Sequence, residues 1–125
     1  MDEQDSLTQA VIGSAIEVHR ELGPGLLESV YQKCMIYELR LRRIECQHQA
    51  RLPIVYKGEV IKEAELVMDI FFPGRLVVEL KAVEKILPVH EAQLLTYLRL
   101  SKTQLGLIIN FNVRLLKDGL KRMVL

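Results

Sequence analysis

The chain has 125 residues, of which 50% are hydrophobic and 26% are charged, and its formal net charge is +1. This length suits one domain, residues 1–125, with a real hydrophobic core, and the composition excludes a disordered chain. The near-neutral charge argues against a strongly basic protein that coats nucleic acid, so an acidic partner must be met by local patches.

Two helices are predicted in the N-terminal third. Residues 6–9, Ser-Leu-Thr-Gln, have the spacing of a capping box, and apolar residues recur at helical intervals from there to Gly23. This pattern predicts a first helix over residues 6–22. A Gly-Pro-Gly break at 23–25 precedes a second helix, which ends near the basic run 40–43. The mostly apolar face of this second helix comprises Leu27, Val30, Tyr31, Cys34, Glu38 and Leu41.

The middle of the chain is β-prone. Residues 49–56, 60–72 and 76–81 read as strands, separated by turns at Lys57-Gly58 and around Pro73-Gly74. We therefore expect an antiparallel meander of three strands.

A helix and a return strand follow the meander. Pro88 fits the first turn of a third helix, which extends to Ser101, and residues 105–111 are nearly all apolar, as in a buried strand. A turn at 117–119 precedes a short strand at 120–124. The expected fold class is therefore α/β.

The sequence also indicates a compartment. No apolar run approaches the roughly 20 residues that span a bilayer, and the acidic residues 1–5 are unlike a secretory leader. Cys34 and Cys46 lack the paired spacing of a zinc site or disulfide scaffold, so we expect free thiols, with Cys34 in the core. We expect a soluble, cytoplasmic protein with no membrane partner.

Two acids and a lysine are embedded in apolar strands. Glu79 and Lys81 are two residues apart and so project from one face of their strand, while Asp69 lies in the apolar strand before it. A three-residue loop between these strands would set Asp69 opposite Glu79, close enough to share a divalent metal, whereas a two-residue Pro73-Gly74 loop would place them on opposite faces. The plain alternative is an ion-pair cluster that neutralises itself.

This arrangement resembles the PD-(D/E)XK phosphodiesterase superfamily. In that superfamily an acid on one strand and D/E-x-K on the next form a hairpin, followed by a helix and another strand. Met68 stands where the superfamily's name has proline, a position that is loosely held across its members. The resemblance implies a restriction-endonuclease-like core.

The resemblance extends over almost the whole chain. Residues 25–31, GLLESVY, resemble the motif that names the GxxExxY protein family, which is assigned to this superfamily. That family's typical pattern continues through residues 18–25, 78–82, 93–98 and 106–112. The motif implies that Glu28 is a metal-site residue, although a solvent-facing glutamate near a helix N-terminus would be the plain alternative.

Gln93 and Tyr97 stand one helical turn apart and resemble the Q-x-x-x-Y motif of RecB-type nucleases. Their implied roles are to hold a water or phosphate oxygen and to contact the substrate backbone. Without Gln93, Tyr97 would read as a core aromatic residue with its hydroxyl at the surface. Tyr31 joins Tyr97 in the predicted substrate-binding set, with its ring packed and its hydroxyl orienting a neighbour.

The resemblance implies a cofactor and a reaction. Mg²⁺ or Mn²⁺ would be held by Asp69, Glu79, the Leu80 carbonyl, and Glu28 directly or through water. Lys81 would orient or deprotonate the attacking water in phosphodiester hydrolysis. Nucleic acid, DNA rather than RNA, is the expected partner, cut by structure or from ends because no recognition helix is apparent. The predicted catalytic residues are Glu28, Asp69, Glu79, Lys81 and Gln93.

A second hypothesis is a catalytically inactive nuclease-fold module that acts as a binding partner in a larger nucleic-acid-processing assembly. A near-neutral chain of this size has little surface for gripping a duplex, although a homodimer could supply more. A purely structural protein would leave the aligned acids and lysine unexplained.

Other titratable residues have plainer interpretations. His19 and His90 lack a spaced histidine partner, so we expect helix-face or capping roles. Two basic groups could be solvated surface or phosphate contacts. They are Arg40, Arg42 and Arg43, and Lys117, Lys121 and Arg122.

Overall fold

The computed structural model describes residues 3–125 and the side chains of residues 6–125. Met1 and Asp2, which open the acidic N-terminal run, lie outside the described residues. The helices are α1 (Glu3–Leu22), α2 (Glu28–Leu41) and α3 (Pro88–Ser101). The strands are β1 (Gln47–Tyr56), β2 (Glu59–Phe72), β3 (Leu76–Lys81), β4 (Leu105–Asn110) and β5 (Leu120–Val124), the last preceded by a short 3-10 helix, Leu116–Gly119.

The five strands form one sheet in the order β1-β2-β3-β4-β5. All neighbours are antiparallel except β3 and β4, which are parallel and therefore need the crossover connection that α3 supplies. Every residue of β4 is buried, as expected for a strand covered on both faces. The predicted α/β class, the meander, the return strand and the short C-terminal strand are confirmed.

The loop between β2 and β3 has three residues, 73–75, which settles the alternative left open by the sequence. Phe72 pairs with Leu76, and Ile70 pairs with Val78. The same register, continued by one residue, sets Asp69 opposite Glu79. The two acids therefore meet at the end of the hairpin away from its turn.

Helices cover both faces of the sheet, and the side chains of β3 alternate between the two layers. Val78 and Leu80 belong to the larger core, which includes the buried residues of α1 and α2. Val77 belongs to a smaller core formed with α3. Since side chains two residues apart share a face, Glu79 and Lys81 project toward the α3 side.

The start of the first helix differs from the prediction. The capping box over residues 6–9 would begin the helix at Ser6, but α1 begins at Glu3, so Ser6 lies inside it. The chain before Ser6 contains no proline or glycine that would stop a helix. Although α1 has 20 residues, no helix in the described part of the chain is long and apolar enough to cross a membrane.

The buried face of α2 also differs from the predicted one. Its fully buried residues are Tyr31, Met35 and Leu39, which follow a four-residue repeat. Leu27 is 74% exposed and precedes the helix, and Leu41 is exposed at the other end. The predicted apolar face is therefore correct only at its centre.

The two cysteines are free thiols, as predicted. Both are half-buried and pack against the larger core, so Cys34 borders that core without being enclosed by it.

Candidate active site at the open end of the β2–β3 hairpin

The backbone pairing of β2 and β3 ends just before Asp69 and Glu79, and the two carboxylates accept the next hydrogen bonds. The N–H of Asp69 donates to Glu79 Oε2 at 2.9 Å, and the N–H of Leu80 donates to Asp69 Oδ2 at 2.8 Å. Each acid is thus held by the strand that carries the other. Because the N–H and C=O of one residue point to the same edge of a strand, the Leu80 carbonyl faces the same gap.

Both acids are more buried than carboxylates normally are. Glu79 is only 4% exposed, and burial together with the charge of Asp69 raises the pKa of its carboxyl to about 8. Burial also raises the pKa of Asp69, although the Leu80 N–H and the charge of Lys81 oppose that rise. A buried, unpaired carboxylate is costly, so this pair requires either a proton or a cation.

Lys81 lies near the acids without pairing directly with them. Its charge opposes the rise in pKa of Glu28, Asp69 and Glu79. Among the described side chains, however, Lys81 forms no direct ion pair with any of the three. The described residues therefore do not form the self-neutralising ion-pair cluster that the sequence left open.

The segment that follows Lys81 is fixed to β4 by a buried asparagine. Asn110 Nδ2 donates to the Val83 carbonyl at 2.9 Å, and Asn110 Oδ1 accepts the Val83 N–H at 3.0 Å. The N–H of Phe111 donates to the Lys81 carbonyl at 2.9 Å. The one polar side chain in the apolar run of β4 therefore anchors the strand end that carries the lysine.

Tyr31 holds the glycine-rich turn in front of α2. Its hydroxyl donates to the Gly23 carbonyl at 2.6 Å and accepts the Leu26 N–H at 3.2 Å, while its ring stacks on Phe111 with centroids 4.5 Å apart. The predicted orienting role of the hydroxyl is confirmed. Tyr31 is 0% exposed, and its predicted contact with a substrate stays a prediction. In the structure it fixes the turn that places Glu28.

Glu28, the first residue of α2, reaches the acids from the helical layer on the other face of the sheet. Burial, followed by the charge of Asp69, raises the pKa of its carboxyl. Glu28 in turn contributes to the raised pKa of Glu79. The structure therefore brings a third carboxyl into the electrostatic field of the pair.

Gln93 and Tyr97 approach from α3. Gln93 is exposed, and its Nε2 donates to the Tyr97 hydroxyl at 3.1 Å. The Tyr97 ring packs partly against the smaller core. Burial, followed by the charges of Glu79 and Asp69, raises the pKa of its hydroxyl, so the charges of both acids act on that group.

Two glutamines that the sequence patterns did not single out reach Asp69. Gln32 Nε2 donates to Asp69 Oδ1 at 3.2 Å, and Gln49 Nε2 donates to Gln32 Oε1 at 2.8 Å. Gln32 follows Glu28 by four residues, so the two share a helix face, and this spacing could have identified Gln32 from the sequence. No local sequence pattern identifies Gln49. The exposed His48 also lies close enough for its charge to oppose the rise in the pKa of Asp69.

The two helical histidines have structural roles. His90 Nδ1 accepts the N–H of Leu87 at 2.9 Å, which confirms the predicted capping role. His19 is buried, and its Nε2 lies 2.7 Å from the Val113 carbonyl, which ties α1 to the chain after β4.

The basic run at the end of α2 lies away from the acids. A helix of 14 residues is about 20 Å long, and Glu28 stands at its opposite end. Within the run, Arg42 donates to Glu38 at 2.7 Å. In the C-terminal basic group, Lys121 Nζ lies 3.5 Å from Glu91 Oε1. One member of each group, Arg42 and Lys121, therefore forms an ion pair on the surface.

The donors at the hairpin suit a hard divalent cation. Asp69, Glu79 and the Leu80 carbonyl offer only oxygen, and a bound cation would stabilise the ionised forms of the two acids. In the described part of the chain, no three side chains of histidine, cysteine, aspartate or glutamate converge closely enough to hold an ion. The residues fit a cation held by two carboxylates, a carbonyl and water, which Mg²⁺ accepts because it retains several waters.

Comparison with known proteins gives one family. The model for the PD-(D/E)XK nuclease superfamily matches residues 5–123, almost the whole chain. No curated protein and no solved structure matches the chain. The three helices and five-stranded sheet agree with the restriction-endonuclease-like core expected for that superfamily.

Proposed function

Because the chain belongs to the PD-(D/E)XK nuclease superfamily, we propose that it is a metal-dependent nuclease that hydrolyses phosphodiester bonds in nucleic acid. The observation that carries this proposal is the meeting of Asp69 and Glu79 at the open end of the hairpin, where each accepts a hydrogen bond from the other's strand. Glu79 is buried and Asp69 is half-buried, and Lys81 stands two residues after Glu79 on the same face. This arrangement supports the proposal, because it gathers the two acids and the lysine of the PD-(D/E)XK pattern at one end of the hairpin.

The cation would be Mg²⁺ or Mn²⁺, held by Asp69, Glu79 and the Leu80 carbonyl. Glu28 would complete the set through water, since no third acid converges on the pair among the described residues. A cation bound here supplies Lewis-acid polarisation of the scissile phosphate and lowers the pKa of a bound water. The protein's own contribution is to hold these oxygen ligands in fixed positions at the open end of the hairpin.

Lys81 has the freedom that its proposed role requires. Its charge acts on the carboxyls of Glu28, Asp69 and Glu79, yet among the described residues it makes no direct ion pair with them. It can therefore orient or deprotonate the attacking water and stabilise charge on the phosphorus. The tie between Asn110 and Val83 holds the strand end that presents it.

Gln93 and Tyr97 form the α3 side of the proposed site. Gln93 is exposed and is oriented by its hydrogen bond to the Tyr97 hydroxyl, so it can hold a water or a phosphate oxygen. Tyr97 packs its ring against the smaller core, and its hydroxyl is acted on by the charges of both acids and hydrogen-bonded to Gln93, which suits contact with a substrate backbone. This pair supports assignment to the QxxxY variant of RecB-type nucleases and to the GxxExxY family.

The proposed substrate is DNA, recognised by structure or ends rather than by base sequence. Gln93 and Tyr97 can contact a backbone but supply no pattern of base readers, and sequence-specific proteins present several such side chains on one element. The chain's net charge of +1 fits a short contact with the backbone better than an extended grip on a duplex.

The test is cleavage of labelled single-stranded, duplex and flapped DNA and RNA, with Mg²⁺ or Mn²⁺ and with chelator. We expect the wild-type protein to cut DNA only with metal, and Lys81→Ala to lower the rate by about 100-fold or more. Lys33→Ala, which removes an exposed lysine of α2, is the matched control and should cut normally.

Two outcomes would contradict the proposal. Cleavage that survives in Lys81→Ala would point to a contaminating nuclease. No cleavage of any substrate by a folded wild-type protein would favour the inactive binding module instead.

A further inference from the structure

The Asp69 carboxylate is fixed by groups from three different elements. One oxygen, Oδ2, accepts the Leu80 N–H of β3 at 2.8 Å. The other, Oδ1, accepts from Gln32 Nε2 of α2 at 3.2 Å, and Gln49 Nε2 of β1 lies 3.5 Å away. Hydrogen bonds therefore fix the positions of both Asp69 carboxylate oxygens before any ligand binds.

Gln49 determines which way the Gln32 amide points. Because Gln49 Nε2 donates to Gln32 Oε1 at 2.8 Å, the Gln32 oxygen faces β1 and its Nε2 is left to donate to Asp69. A reversed Gln32 amide would set its carbonyl oxygen against the Asp69 carboxylate, and two acceptors with no hydrogen between them repel each other. The hydrogen bonds therefore run in one direction, from Gln49 to Gln32 and from Gln32 to Asp69.

The backbone of Gln49 is unusual for a residue inside a strand. Its φ is +53°, the left-handed region that non-glycine residues rarely occupy. His48 pairs with Ile70 and Ala50 pairs with Met68, so Gln49 lies opposite Asp69. The strained residue of β1 therefore stands beside the acid that its side chain approaches.

Other described residues with positive φ have ordinary explanations. Lys102 is the left-handed C-cap of α3, Lys57 lies in the β1–β2 turn, and Arg43 follows the C-cap of α2. Glu63 is exposed and lies between Val60 and Glu65, where the pairing of β1 with β2 shifts register. Backbone strain beside a polar cluster is a pointer to function, because strain persists only where the surroundings enforce it.

We propose that Gln49 is a positioning residue, which acts through Gln32 to hold the Asp69 carboxylate in the orientation that binds the cation. This inference rests on the metal centre proposed above, and it assigns that centre an outer layer of two amides. Hydrogen bonds to a ligating carboxylate fix its direction, and their loss typically weakens metal binding by about 10- to 100-fold. The strained backbone of Gln49 places its amide where the network needs it.

The test is calorimetric titration of metal-free protein with Mn²⁺, without any nucleic acid. Gln49→Gly is the informative variant because glycine accepts the positive φ while losing the amide. Gln32→Ala removes the middle of the network and keeps α2 intact, since alanine is the best helix former. Gln47→Ala, an exposed glutamine two residues earlier in β1, is the matched control.

We expect Gln49→Gly and Gln32→Ala each to weaken Mn²⁺ binding by about 10-fold or more, and Gln47→Ala to leave it unchanged. The double variant should bind about as weakly as either single one, because both remove one connected network. Thermal unfolding of each variant shows whether the fold is retained.

The inference is overturned if Gln49→Gly and Gln32→Ala both bind Mn²⁺ within about twofold of wild type, or if their losses simply multiply in the double variant. Its failure is distinguishable from failure of the proposed function. A wild-type protein that binds Mn²⁺ but cuts nothing removes the nuclease proposal and leaves the positioning role in place. A wild-type protein that binds no Mn²⁺ removes both.

Discussion

The surroundings of Glu79 disfavour the charged form of its carboxyl. It is buried at 4% exposure beside Asp69, and its pKa is raised to about 8. The N–H of Asp69 is the hydrogen-bond donor to its carboxylate, and no cation among the described residues pairs with it directly. Such a residue holds a proton near neutral pH until a cation replaces it.

The raised pKa of Glu79 predicts how the free energy of unfolding of the metal-free protein depends on pH. The Glu79 pKa is about 8 in the folded protein, against an ordinary value of 4.5, so folding favours the protonated form. Its stabilising contribution is fully present below pH 4.5 and is lost as the pH rises through 8, with a slope of at most about 1.4 kcal/mol per pH unit. With chelator, we predict that the free energy of unfolding from urea titration falls over this range.

Glu79→Gln should reduce that pH dependence. The amide cannot ionise, and its oxygen can still accept the Asp69 N–H, so the fold is preserved. A residual slope should remain, because the pKa values of Asp69 and Glu28 are also raised. Glu59→Gln, at an exposed position of β2, is the control and should behave as wild type. An unchanged slope in Glu79→Gln would show that Glu79 does not carry the buried proton.

At the scale of elements, the β2–β3 loop decides the site. Its three residues set Phe72 against Leu76 and so bring Asp69 opposite Glu79. One residue fewer would turn the acids to opposite faces, because side chains alternate along a strand. The sequence could name both outcomes but not choose between them, since loop length depends on where the strands stop pairing.

Gly119 makes a testable contribution to the placement of β5. A Cβ atom there would lie 2.1 Å from the Asn110 carbonyl oxygen, a backbone atom that cannot move aside easily. We predict that Gly119→Ala lowers the free energy of unfolding by about 1–3 kcal/mol or more, the usual cost of overpacking. Urea unfolding monitored by circular dichroism measures the change.

Gly13→Ala is the matched control for this prediction. Its Cβ would meet only the end of the flexible Arg42 side chain, at 3.3 Å. Alanine favours a helix interior by about 0.5–1 kcal/mol over glycine, so this variant should be as stable as wild type or more so. Equal stability of Gly119→Ala and wild type would show that the chain after β4 can shift to make room.

The sequence predicted the elements well where local signals agree. The limits of β3 follow from the Pro73-Gly74 turn and the end of its apolar run, and α3 begins at Pro88 as expected. Local signals failed where packing decides. The exposure of Leu27 depends on how Tyr31 anchors α2, and a capping pattern at Ser6 did not start the helix.

At the scale of the whole molecule, the candidate site draws on both helical layers. Glu28 and Gln32 come from α2, whereas Tyr97 comes from α3 on the other face of the sheet. Both layers can act on the acids because β2 and β3 stop pairing at Asp69 and Glu79, which leaves a gap at this end of the hairpin. The acids and Lys81 were visible in the sequence as charges in apolar strands. Gln49 was not, because its role depends on convergence between distant elements.

The central claim is that the hairpin acids form a cation site, and calorimetric titration of metal-free wild-type protein and Asp69→Asn with Mn²⁺ tests it most directly. We predict a single site in wild type whose binding releases a proton, seen as an enthalpy that varies with the buffer, because Glu79 must ionise to bind. Asp69→Asn should lose most of this affinity while remaining folded. Absence of saturable binding in wild type, or equal binding by a folded Asp69→Asn, would contradict the account.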